Sequence, residues 1–160
     1  MAQKIMIGSD GSGYDLKETI KARLEELGHT VTDVGTTDMD HPKPYFEVGE
    51  AGAKTFQKGG YDLGILICGT GMGMSVTANK HEGIHAAACE SVYTAEKARA
   101  INNANILTMG GWVIGPMLGR AMAETFIETG FTDNLEDWRK EKVANARKEL
   151  DAIEYKNFNK

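Results

Sequence analysis

The chain has 160 residues, of which 41% are hydrophobic and 26% charged, and its formal net charge is −5. That length suits one domain with a sizeable core, and the composition is that of an ordinary globular protein. The acidic balance, with no basic stripe interleaved with aromatics, excludes a nucleic-acid reader, and no apolar run approaches the ~20 residues of a membrane helix.

In chain order, Lys4–Ser9 reads as a strand and Asp10-Gly11-Ser12-Gly13 as a turn. A helix follows with apolar positions at Leu16, Ile20 and Leu24, ended by Gly28. Thr30–Val34 is a β-branched strand, and His41-Pro42-Lys43-Pro44 is a loop because each proline pushes its predecessor out of helical geometry. Glu47–Lys58 reads as a helix stopped by Gly59-Gly60, and Asp62–Ile67 as a strand apolar on both faces, as at the centre of a parallel sheet. Further helices are expected from about Met72 to Lys80, at Val92–Ile101 and at Pro116–Glu128, with strands at Ile84–Ala88 and Asn105–Met109. From Asn134, a helical tail over about 134–158 carries Leu135, Trp138, Val143, Ala146, Leu150 and Ile153 on roughly one stripe.

Five strands joined by crossover helices predict a three-layer, Rossmann-like α/β fold over 1–160, with a parallel sheet covered on both faces. Ligands in such sheets sit beyond the carboxyl ends of the strands, where Asp10, Cys68, Cys89 and Gly110 fall.

The segment Ile65-Leu66-Ile67-Cys68-Gly69-Thr70-Gly71-Met72-Gly73-Met74 carries the chemistry. An apolar strand ends in a thiol, and glycines spaced two apart let backbone N–H groups turn inward around an anion. A nucleophile or base beside an oxyanion cradle is the chemistry this implies. The spacing excludes a dinucleotide fingerprint, because Leu16 and Met74 stand where a third glycine is needed. No lysine follows the glycines as a triphosphate loop requires. Asp10 reads either as a helix cap or as a site residue, and Cys89 as a small buried hydrophobe. Of His29, His41, His81 and His85 only His81 and His85 stand at an i, i+4 spacing that could share a helix face, but Gly83 lies between them and a strand begins at Ile84, so no metal and no cofactor is expected. Arg139, Lys140, Lys142, Arg147 and Lys148 form either a solvated face or a hold for an anionic substrate group. Met1-Ala2-Gln3-Lys4 leads straight into a strand rather than a signal peptide, and two cysteines make no disulfide framework, so a cytoplasmic protein is expected.

Gly8-Ser9-Asp10 with Leu16-Lys17, the run Ile67–Gly73, Ala78-Asn79-Lys80, Gly83-Ile84 and Asn102-Asn103-Ala104-Asn105 together resemble the ribose-5-phosphate isomerase B and galactose-6-phosphate isomerase family. The resemblance runs from Lys4 to about Phe131. It implies interconversion of aldose and ketose phosphates through a cis-enediolate, without metal or organic cofactor. It assigns Cys68 as the base between C1 and C2, and Gly69, Gly71 and Gly73 as donors to the enediolate oxygens. Thr70 assists proton transfer to oxygen, Asp10 holds a substrate hydroxyl with Ser9 beside it, and Asn102 stabilises developing charge. A homodimer or homotetramer, with the tail reaching a partner's site, is implied as well.

The chain departs from the family pattern at Gly11 and Ile101, where members usually carry histidine, and at Trp112, where a basic residue is expected. In the tail, Trp138, Arg139 and Lys142 fall near the family's arginines without matching them. Isoleucine transfers no protons, so ring opening falls to another group, with His85 nearest in sequence, or the substrate is already open-chain, such as a four-carbon sugar phosphate. Trp112 offers a flat wall for a sugar face, and Arg139 and Lys142 could meet an anionic end. The sequence therefore supports an isomerase of a small sugar or sugar phosphate with altered preference, or a non-catalytic subunit pairing with an active relative.

Overall fold

The computed structural model describes residues 1–159. The elements are β1 (Lys4–Ser9), α1 (Tyr14–Glu26), β2 (Thr30–Asp33), α2 (Tyr45–Gln57), β3 (Leu63–Cys68), α3 (Met72–Ala78), β4 (Ala86–Ala88), α4 (Val92–Ala100), β5 (Ile106–Gly110), α5 (Pro116–Glu128) and α6 (Asp137–Phe158). The five strands form one parallel sheet in the order β2-β1-β3-β5-β4. Among the described residues, no helix is long and apolar enough to cross a membrane.

Alternation along the strands divides the core into two layers. Ile5, Ile7, Ile65, Ile67, Leu107 and Met109 face α1, α4 and α5, meeting the expected Leu16–Ile20–Leu24 stripe. Met6, Leu66, Cys68 and Ile106 face α2 and α3, where Val48, Ala53, Met74 and Ala78 close the second layer. The central strand β3 is buried at every position, so its apolar run needs no alternation. Gly28, at φ +86°, ends α1: its N–H donates to the Glu25 carbonyl, and that of His29 to Leu24.

Several boundaries differ from the sequence expectation, each for a local reason. α2 begins at Tyr45 because Pro44, at φ −70° and ψ 152°, serves as its extended N-cap. β4 is confined to Ala86–Ala88 because the Asn105 side chain takes the His85 N–H at 2.8 Å and the Ile84 N–H turns back to His81. The tail is helical but its stripe is scarcely used: only Val143 within α6 is buried, while Trp138, Leu150 and Ile153 are exposed. α6 meets the body through polar contacts instead, with the Gly83 N–H donating to Glu154 at 2.6 Å and Arg147 reaching His85 at 3.0 Å.

Candidate active site

The carboxyl ends of the central strands gather the chemistry-bearing residues. Cys68 ends β3, level with Gly110 of β5, while Ser9 of β1 pairs with Ile67. Just past them, the Asp10 N–H donates to the Ile67 carbonyl at 3.2 Å. The Gly111 N–H donates to the Cys68 carbonyl at 2.7 Å, and the Trp112 N–H to Gly69 at 3.0 Å. These bonds tie the three loops into one rim.

Cys68 is 5% exposed, and its Sγ accepts the Gly71 N–H at 3.2 Å. A thiol acts as nucleophile or base through its sulfur, and this contact fixes where that sulfur points. Gly71 makes it by adopting φ +79°, with the Met109 backbone so close that a Cβ there would stand 2.7 Å from it. A Cβ on Gly69 would stand 2.7 Å from the Trp112 ring, and one on Gly73 equally close to the Tyr45 ring. Two aromatic rings thus lie directly on cradle glycines, which only bare Cα atoms permit. Gly73 is in the first turn of α3, where backbone N–H groups have no intrahelical acceptor. Thr70 is exposed at the rim.

Asp10 is not the helix cap, a position held by Gly13. Its Oδ1 accepts the Gly13 N–H at 3.0 Å and so closes the turn before α1. Burial pushes its carboxyl above the ordinary range, against the pull of the Gly13 and Ser12 amides. Pro42, Lys43, Tyr45 and Phe46 face the Asp10–Ser12 turn across a cleft of about 520 Å³. Lys43 and Tyr45 were not singled out from sequence, where Pro42-Lys43-Pro44 signalled only a loop.

Other expected site residues stand elsewhere. Ser9 is fully enclosed, and strand alternation puts its side chain on the face of Ile5 and Ile7, away from Cys68, where its hydroxyl has no hydrogen-bond partner among the described residues. Asn102 lies before β5, at the amino end of the sheet. Arg139 and Lys142 lie on α6 between Asn134, which bonds Glu96 of α4, and Arg147, which meets His85. His85 does not meet its own chain's Cys68 either. It precedes β4, level with Leu63, a strand length of roughly 16 Å from the level of Cys68. His85, Asp151 and Glu154 place ligand atoms within 4.8 Å of one another, but the Arg147 guanidinium sits among them, 2.6 Å from Asp151, and supplies the positive charge. Cys89 is buried and free, and burial raises its thiol pKa, consistent with a small core residue.

The family model for ribose/galactose isomerases matches residues 5–144. The 4-deoxy-4-sulfo-D-erythrose isomerase of Clostridium sp. (strain MSTE9) is 55% identical over 98% of this chain and 99% of its own. The D-erythrulose-4-phosphate isomerase of Pectobacterium atrosepticum is 39% identical over 79% of this chain and 84% of its own. Among solved structures, Clostridium thermocellum ribose-5-phosphate isomerase B superimposes with a TM-score of 0.86 at 37% identity, covering 96% of this chain and 99% of that one. With its parallel sheet, its thiol-and-glycine cradle and these relatives, the chain belongs to the ribose/galactose isomerase family of sugar isomerases.

Proposed function

We propose that this chain is a cofactor-independent aldose–ketose isomerase of four-carbon sugars that carry an anionic group at C4. The observation that carries the reading is Cys68, whose sulfur accepts the Gly71 N–H at the mouth of a cradle walled by Trp112 and Tyr45. Ile101, where family members usually carry a ring-opening histidine, supports the small substrate. A tetrose closes its ring only through O4, so a sugar whose O4 is esterified or replaced stays open-chain and needs no ring opener. The relatives named for 4-deoxy-4-sulfo-D-erythrose and D-erythrulose 4-phosphate point the same way.

In this mechanism the Cys68 thiolate takes the proton from C2, and the electron pair moves through C1 onto the carbonyl oxygen. The resulting cis-enediolate lies against the N–H groups of Gly69 and Gly73, while Gly71 steadies the sulfur. Thr70 passes the hydroxyl proton from O2 to O1, and Cys68 returns its proton to C1. One C–H bond breaks and one forms, with no net oxidation. Asp10 holds a substrate hydroxyl, and Trp112 covers an apolar sugar face. Asn102, at the other end of its own sheet, acts at the Cys68 site of a second copy, joined there by Arg139 and Lys142 of α6, so the working form is a homo-oligomer.

The test is proton exchange at C2 in deuterated water, followed by NMR, with 4-deoxy-4-sulfo-D-erythrose, D-erythrose 4-phosphate and D-ribose 5-phosphate, alongside a mass measurement in solution. The four-carbon substrates exchange fastest, and Cys68→Ala loses about 10²–10⁴-fold. Activity persisting in Cys68→Ala overturns the mechanism. A pure chain inactive on all three sugars points instead to a subunit that needs a different partner.

A further inference from the structure

We infer that Lys43 fixes the anionic end of the substrate and selects charged over uncharged four-carbon sugars. The inference rests on the four-carbon isomerase reading and names the group that reads the charge. The ligand chemistry is a tetrahedral oxyanion, either sulfonate or phosphate.

The cleft between the β1–α1 turn and the 42–46 segment opens against the cradle, because Tyr45 lines it while its ring lies on Gly73. Asp10 and Lys43 are its two formally charged residues, so Lys43 is its one cation. Gly11 and Trp112 contribute no positive charge to this side of the site. Among the described residues, the Lys43 ammonium joins no ion pair or hydrogen bond; only its backbone N–H is engaged, donating to Thr36 Oγ1 at 3.0 Å. An unpaired lysine between two prolines, beside a carbonyl-chemistry cradle, is poised for an anion rather than for structural pairing.

The backbone that carries it is firmly held. Pro42 packs on Gly11, 3.0 Å from where a Cβ would stand, and Pro44 is locked at φ −70°. Thr36 is 1% exposed; its N–H donates to the Ser9 carbonyl at 2.8 Å, and its own carbonyl accepts the buried Lys17 ammonium at 2.5 Å. Residue 43 is therefore braced through Thr36 to the sheet and to α1, and only the flexible side chain adjusts to the ligand. The proposed substrate is short. In a C4-substituted tetrose the anionic oxygens lie on the order of 5 Å from C2, a few bonds of ~1.5 Å. Lysine engages such a group as a point charge, which tolerates either sulfonate or phosphate geometry.

The experiment compares wild type, Lys43→Met and Lys43→Arg on 4-deoxy-4-sulfo-D-erythrose, D-erythrose 4-phosphate and uncharged 4-deoxy-D-erythrose, which likewise cannot close a furanose. Lys43→Met raises KM for the charged sugars about tenfold more than for the uncharged one, with a smaller change in kcat, and Lys43→Arg recovers most of the loss. Whichever charged sugar loses more identifies the oxyanion the cleft is shaped for. Equal losses on charged and uncharged sugars, or none, overturn the assignment and leave the anion to Arg139 and Lys142. Should the wild type turn over none of these sugars, the four-carbon reading fails by itself, and the site is read by titrating inorganic sulfate into ¹⁵N-labelled protein. The amides of Ser12, Gly13 and residue 43 then shift in wild type and not in Lys43→Met; absence of those shifts in wild type overturns the anion site.

Discussion

Lys17→Met removes the brace that joins α1, β2 and the 36–43 segment, and its cost can be worked from the contacts. The Lys17 side chain is completely buried, and its ammonium lies 2.5 Å from Asp33 Oδ2, 2.5 Å from the Thr36 carbonyl and 2.7 Å from Glu18. Methionine fills the volume but leaves Asp33, 7% exposed, without its main cation. Breaking a buried ion pair from one side costs about 3–5 kcal/mol. Asp33 keeps the Gly35 N–H at 2.9 Å and Lys21 at 3.8 Å, so the lower end of that range applies. For a chain of this size, about 3 kcal/mol corresponds to a drop in Tm of roughly 6–12 °C. Thermal unfolding followed by circular dichroism reads this directly. Lys17→Met/Asp33→Asn recovers at least half the loss, because the double variant strands no charge. A Tm drop under about 2 °C, or additive losses in the double variant, would refute the view that the brace is a coupled, desolvated unit.

Two pH predictions follow from groups displaced from their ordinary values. Burial raises the Asp10 carboxyl above 3.8, so the folded chain holds that proton more tightly than the unfolded one, and stability falls as pH climbs past 3.8. Asp10→Asn therefore raises Tm at neutral pH, with the gain vanishing below 3.8, while kcat/KM drops; a lower Tm at neutral pH contradicts this. Burial, followed by the Arg147 charge, lowers His85 below 6.5 against the opposing pull of Glu154 and Asp151. Its stabilising share is present above 6.5 and lost as pH falls through the folded value, so the acid-side decline of Tm flattens in His85→Asn, and an unchanged slope counts against the assignment.

The sheet was legible because its signals are local. A strand buried on both faces must read as a continuous apolar run, as Leu63–Cys68 does, and glycine at positive φ marks where helices stop, as Gly28 does. β4 was overextended because its amino-terminal limit depends on the Asn105 side chain, which arrives from 20 residues away in sequence. Lys43 was passed over because what distinguishes it is an absence of partners combined with a backbone braced by Thr36 and Lys17, and neither is written in its neighbours. The apolar residues of α6 were visible, but periodicity cannot say whether a stripe covers its own domain or a neighbour.

The same limit explains why the candidate site divides as it does. Residues 68–73 are contiguous, so their chemistry could be read from spacing alone, and Trp112 joins them because it follows the adjacent strand, β5. Asn102 precedes that strand. In a parallel sheet, segments that follow strands collect at one end and segments that precede them at the other. A residue placed before β5 is therefore kept from a thiol placed after β3 by the length of the sheet, whatever the loops do. Arg139 and Lys142 lie on α6, the helix that Arg147 ties to His85 at that same end. For Asn102 to act on the enediolate, with Arg139 and Lys142 beside it, the amino-end surface of one copy must face the carboxyl edge of another. A two-fold axis satisfies that demand for both copies at once, since whatever one chain lends across an isologous contact it also receives. The exposed Trp138, Leu150 and Ile153 of α6 lie on the same helix as Arg139 and Lys142. The contact that completes the proposed site would then also bury the apolar stripe that the single chain leaves open.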